Sequence, residues 1–166
     1  YNSVDAAGGV YVAQSSFVGN KAANGGAIYN DGTEDYKGNH AVLNLSDLTF
    51  ADNIASDNGG AIFNGADAVI NMSGTNAFTN NTANKGANDI YNAGTLNITG
   101  GETTIGGGIL GNGTLTLAEG AVLNVGNATI RQNNLDIDGI VKVSVLSDRS
   151  YGRLIAAEKL DVAESA

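Results

Sequence analysis

The chain has 166 residues, 42% of them hydrophobic, and a net charge of −9 from 17 acidic and 8 basic residues, enough apolar material for one modest core and not for two. The basic residues are dispersed, which argues against a nucleic-acid surface, and no apolar run nears the roughly 18 residues of a membrane span. Twenty-four glycines accompany no proline and no cysteine, which excludes a disulfide framework and a thiolate metal site.

Taken in order, the chain repeats itself. Tyr1 starts no signal peptide. Phe17-Val-Gly-Asn20 is followed by "ANGGAIYN" at 23–30. After a polar stretch, "AVLNLSD" at 41–47 leads to Phe50-Ala-Asp-Asn53 and "DNGGAIFN" at 57–64. "AVINMSG" at 68–74, Phe78-Thr-Asn-Asn81 and a worn "NKGANDIYN" at 84–92 follow, and "TLNITGG" at 95–101 opens another unit. Asn44 to Asn71 is 27 residues, Asn71 to Asn97 is 26, and Phe50 to Phe78 is 28. A catalytic loop is needed once, so words that return at a fixed period point to architecture.

Each word alternates apolar and polar residues, as a half-buried strand does. Leu43 and Leu45, Ile70 and Met72, Leu96 and Ile98 should face inward, with Asn44, Asn71 and Asn97 outward. Leu48 and Phe50 supply a second side. Ile28, Ile62 and Ile90 supply a third, with Tyr29, Phe63 and Tyr91 on its opposite face. Three short strands per unit cannot close a core alone, so units must stack at about 4.8 Å with like residues above like. That is a parallel β-helix with essentially no α-helix. The paired glycines allow a tight corner with φ > 0 and close backbone approach. The Asn ending each word is expected to tolerate the left-handed region and to form a ladder of side-chain amides.

Beyond residue 100 the rhythm quickens. Ile105 takes the Phe position and "GGGILGN" at 106–112 imitates the glycine word. Leu96 to Leu115 is 19 residues and Leu115 to Leu135 is 20; "TLTLAEG", "AVLNVGN", "NLDIDG" and "IVKVSVLSD" read as strands with minimal turns. Residues 1–166 are expected to form one domain, with longer decorated rungs over 1–112 and shorter plain ones over 113–166. Unpaired edges at the end rungs are expected to favour self-association.

The pairing of GGAI with FxxN resembles the polymorphic outer membrane protein family of autotransporter adhesins. The words that carry it are Gly25-Gly26-Ala27-Ile28 with Phe17 and Asn20, Gly59-Gly60-Ala61-Ile62 with Phe50 and Asn53, and Phe78 and Asn81 with a degraded Gly86-Ala87. The segment 133–166 is similar to the simple rungs near the end of many autotransporter passengers. The resemblance implies a right-handed, single-stranded β-helical solenoid of about six or seven rungs. It also implies export and display at a bacterial surface by a C-terminal barrel that these residues do not include, or secretion by another route. A non-enzymatic adhesin or stalk would follow, meeting a host-cell surface protein or glycan, with no cofactor, no nucleic acid and no membrane insertion of its own.

The rival is a polysaccharide lyase or hydrolase, which would gather carboxylates with Arg, Lys or His on one strand face. The only histidine, His40, ends the stretch "DGTEDYKGNH" at 31–40. Asn30 to Leu43 is 13 residues, against 6 from Asn64 to Ile70, so seven extra residues should protrude there. Glu34, Asp35, Tyr36, Lys37 and His40 are therefore candidate ligand contacts, as are the outward rings Tyr29, Phe63 and Tyr91. No metal is expected: "DIDG" at 136–139 lacks the other ligands of a calcium loop, and Asp136 and Asp138 alternate outward with Leu135 and Ile137. The N-x-S/T triplets at Asn44, Asn71, Asn80, Asn97, Asn112 and Asn127 largely follow the rung period, which already accounts for them. An ice-binding face would need flat Thr-x-Thr arrays, which Thr114 and Thr116 alone do not make.

Overall fold

The alternation of apolar and polar residues becomes strand register in the computed structural model of the chain, which describes residues 9–33 and 40–163. Leu43 pairs with Ile70, Ile70 with Leu96, Leu96 with Leu115, Leu115 with Leu135, and Leu135 with Leu160, every pairing parallel. Each strand thus lies against the equivalent strand one turn later, and no helix occurs among the described residues. Three sheets result. Face A holds 10–13, 42–46, Val69–Ser73, Thr95–Ile98, Thr114–Leu117, 134–137 and 159–162. Face B holds 15–18, 48–51, Thr75–Thr79, Glu102–Ile105, Val122–Gly126 and Ile140–Val143. Face C holds Ile28–Asn30, Ile62–Asn64, Ile90–Asn92, Ile109–Leu110, 129–132 and 153–156. Six turns and the face-A strand of a seventh make a parallel β-helix, the fold the repeats require.

Burial follows period 2 on each face. Leu43, Leu45, Ile70, Met72, Leu96 and Ile98 are buried on face A, Leu48, Phe50, Phe78 and Ile105 on face B, and Ile28, Ile62, Ile90 and Ile109 on face C. Like residues lie above like, so Phe17, Phe50 and Phe78 stack inside with centroids 5.1 and 4.6 Å apart, and Ile105 continues the file.

The corners explain the polar words. Between faces A and B one residue turns the chain in the left-handed region, Gln14 at φ 49° and Asp47 at φ 58°, with glycine at 74 and 101 in later turns. Before face C, Gly25 and Gly59 lie at φ 60° and 67°. The glycine after each is required by crowding: a Cβ on Gly60 would lie 2.1 Å from the Asn88 carbonyl oxygen, far inside contact distance.

The amide ladder exists, but its backbone is not left-handed. Asn30, Asn64 and Asn92 close strands of face C and none has positive φ. Standing two residues after an inward isoleucine, each points inward too. Asn30 Nδ2 donates to Asn64 Oδ1 and Asn64 Nδ2 to Asn92 Oδ1, both at 2.8 Å, and Asn92 Nδ2 reaches Gln132 Oε1 at 2.7 Å. A second ladder joins the FxxN asparagines, buried at Asn53 and Asn81: Asn20 donates to Asn53 and Asn53 to Asn81, each at 2.9 Å.

The later turns are less plain than their spacing suggests. "IVKVSVLSD" is broken at Ser144: Ile140–Val143 stays on face B, while Val145–Ser147 turns back against Ser150–Tyr151 as an antiparallel hairpin. Thr129–Ile137 and Arg153–Val162 each run from face C onto face A without a turn. Neither double strand carries a glycine word that would have marked it.

Candidate binding site

The insertion after Asn30 occupies the corner between faces C and A. The corner begins alike in the first two turns, since Gly65 N donates to Asn30 O at 2.9 Å and Val69 N to Ala41 O at 2.9 Å. Between these fixed points the first turn has ten residues, 31–40, where the second has three, 65–67. Glu34, Asp35, Tyr36 and Lys37 lie outside the described residues. His40 is described, half-buried, with Nδ1 3.3 Å from Gly32 O. A ring held against the backbone at the root of an excursion fixes where the chain re-enters face A.

The aromatic file stands on the outer side of face C. Register sets Tyr29 over Phe63 and Phe63 over Tyr91. The ring centroids are 4.9 and 5.1 Å apart with interplanar angles of 8° and 12°. All three rings are half-buried. Rings stacked at the strand spacing cover one another's faces and present edges, so the file offers a ribbed apolar strip rather than a flat platform. Below it the same outward position holds Leu110 and Arg131.

A third surface is built on the outward asparagines of the face-A words. On the outer side of face A, Asn97 Nδ2 donates to Asn71 Oδ1 at 2.9 Å and Asn71 Nδ2 donates to Asn44 Oδ1 at 3.0 Å. One turn earlier the register position is Tyr11, 77% exposed. A groove of about 230 Å³ runs there, bordered by Tyr11, Asn44, Ser46, Asn71, Ser73 and Thr99. At its edge Asp47 Oδ1 accepts the Thr75 N–H at 2.9 Å and Oδ2 accepts the Ser46 hydroxyl at 2.8 Å. These two hydrogen bonds, the backbone one foremost, hold the Asp47 carboxyl below its ordinary range. Only the departure from the repeat, an aromatic where the ladder calls for an amide, could have marked Tyr11 in the sequence.

Elsewhere Asp136 is exposed on face A and Asp138 is exposed just after its strand. Among the described residues no group of three His, Cys, Asp or Glu side chains is placed to hold a metal.

Two segments, residues 14–31 and 47–65, match the Chlamydia polymorphic membrane protein repeat, 37 of the 166 residues in all. Each match starts at a left-handed corner residue, Gln14 or Asp47, and ends one residue past a ladder amide, Asn30 or Asn64. The repeat is therefore one turn of the solenoid without face A: corner, inward Phe, FxxN asparagine, glycine pair, Ile, aromatic, buried Asn. The third copy lies outside the matched segments and has Asn88 and Asp89 where the second has Gly60 and Ala61. No curated protein and no solved structure matches the chain.

Proposed function

We propose, from two polymorphic membrane protein repeats set one above the other in the first two turns, that the chain is part of a bacterial surface or secreted passenger. It works there without catalysis, as an adhesin or as a stalk that holds an adhesive region away from the cell. The supporting observation is that both matches cover the same two faces and corners of successive turns, so the repeat's sequence is used here for the ladders that build the rod. A rod with a ribbed aromatic strip and a lengthened corner suits contact with a host-cell protein or glycan. The contact residues proposed are Tyr29, Phe63 and Tyr91 with the Glu34 to His40 excursion.

Two measurements test this. Antibody raised against the 166 residues should label intact, unpermeabilised bacteria that express the protein. Beads coated with the chain should attach to cultured epithelial cells. Labelling without attachment would leave the stalk alone standing. Labelling only after permeabilisation would defeat the surface reading, and turnover of a polysaccharide lost in His40→Ala would replace it with an enzyme.

A further inference from the structure

The outer amide ladder of face A has a direction. Asn97 gives to Asn71 and Asn71 gives to Asn44, and among the described residues Asn44 Nδ2 finds no side-chain acceptor in the turn above, where Tyr11 occupies the register position. The ladder's last donor therefore opens onto the groove of about 230 Å³ beside an exposed ring. The other polar groups at the groove differ in how far they are engaged. The Ser46 hydroxyl is spent on Asp47 and that of Thr99 on Met72 O at 3.2 Å. The Ser73 hydroxyl makes no side-chain hydrogen bond with another described residue. No charged side chain lines the groove, and the Asp47 carboxylate bonded to the lining Ser46 would repel an acidic ligand.

An aromatic face, an amide donor and a hydroxyl, spread over consecutive strands and without a cation, match one chemistry. Sugars offer an apolar C–H face for a ring and hydroxyls for neutral donors and acceptors. We propose that this groove binds a neutral saccharide unit, its ring stacked on Tyr11 and its hydroxyls bonded to the Asn44 amide and the Ser73 hydroxyl. The groove crosses four turns, from Tyr11 to Thr99, so its axis suits a short oligosaccharide lying along the solenoid. Placing that glycan on another cell rests on the adhesin reading, while the groove's chemistry does not.

The test is amide and ring NMR of the ¹⁵N,¹³C-labelled chain titrated to millimolar N-acetyllactosamine, lactose and maltotriose, with a heparin hexasaccharide as the acidic comparison. At least one neutral sugar is expected to shift Tyr11, Asn44 and Ser73 together. Tyr11→Ala, at an exposed position the fold does not need, should weaken that sugar about tenfold, Asn44→Ala should also weaken it, and Tyr151→Ala should not. Silence from all three neutral sugars, shifts that survive Tyr11→Ala, or binding of heparin alone would overturn the assignment. Cell attachment separates the two ideas. Beads that adhere equally well with Tyr11→Ala overturn the role of this groove in adhesion and leave the adhesin. A chain that binds the sugar but attaches to no cell overturns the adhesin and leaves the groove.

Discussion

Thr103 and Asp89 are polar side chains buried in the stack, and each tests what a polar group costs inside a solenoid. Thr103 stacks between Asn76 and Leu123, and its Oγ1 finds no hydrogen-bond partner among the described residues. Asn76 avoids that cost by accepting from Leu48 N at 3.2 Å and donating to Ser73 O at 2.8 Å. Thr103→Val keeps the shape and removes the orphan hydroxyl, so it should stabilise by about 1 to 3 kcal/mol in denaturant unfolding. A lower unfolding midpoint would contradict this account. Asp89 ends the FxxN ladder. Its Oδ1 accepts Asn81 Nδ2 at 2.9 Å and its Oδ2 accepts the Gly107 N–H, so only an acceptor on both sides fits. Burial outweighs these hydrogen bonds and raises the carboxyl above its ordinary 3.8. The folded chain therefore keeps this proton to higher pH than the unfolded chain. The stability it contributes is full below 3.8 and is lost as pH rises through the folded value. Asp47, shifted the other way, acts below 3.8, where its stabilisation is lost as pH falls. Asp89→Asn should abolish the loss above 3.8, and should itself cost about 1 to 3 kcal/mol at neutral pH because its NH₂ meets another donor. Urea unfolding of both chains from pH 4 to 7 checks this; parallel curves would remove Asp89 from the pH dependence.

At the scale of the strand, the three residues of Ile62–Asn64 carry three different jobs by alternation alone. Ile62 is fully buried and Phe63 is half-exposed in the outer stack, while Asn64 is buried in the amide ladder. Ile62→Ala should cost about 2 to 5 kcal/mol as a cavity. Phe63→Ala should cost nearer the roughly 0.5 to 1.5 kcal/mol of an aromatic pair. Side-by-side denaturation distinguishes them, and equal losses would mean the outer stack holds the fold as firmly as the core. The strands that repeat were legible in the sequence down to register, because stacking like on like writes the same word each turn. Asn30, Asn64 and Asn92 were legible as a ladder but not as core, since an amide is buried only when its neighbours above and below satisfy it, a condition that one turn cannot reveal. The continuous strands Thr129–Ile137 and Arg153–Val162 were missed because they lack the glycines that mark corners. The break at Ser144 was missed because apolar alternation runs on unchanged into the hairpin. The candidate site was the least legible part, since Tyr11 is defined by departing from the period.

The whole molecule is a stack in which strands pair only between adjacent turns, with Asn92–Gln132 and Lys142–Glu102 as side-chain contacts that reach past one turn, so stability should be distributed along it by position. The strands of the middle turns are covered on both sides: Thr95–Ile98 pairs with Val69–Ser73 above and Thr114–Leu117 below, and Leu96 and Ile98 are fully buried. Val10–Val18 pairs only with Val42–Ala51, and Arg153–Val162 only with Thr129–Ile137, among the described residues. Both outer strands are largely exposed, with Leu160 and Val162 more than half accessible. Local opening follows such differences in burial and pairing, so hydrogen exchange should be slowest at 70–72, 96–98 and 115–117 and fastest in the two outer strands. Leu96→Ala should cost about 2 to 5 kcal/mol and lower protection in the turns on both sides of it, because it removes a plate from the middle of a continuous core. Val12→Ala, at the half-buried outer edge, should change only the first turn. Outer-strand protection that rises with protein concentration would report pairing of copies through their exposed edges. Uniform exchange along the chain, with Leu96→Ala and Val12→Ala equal in effect, would show a single all-or-none unit and defeat the stacked description of its stability.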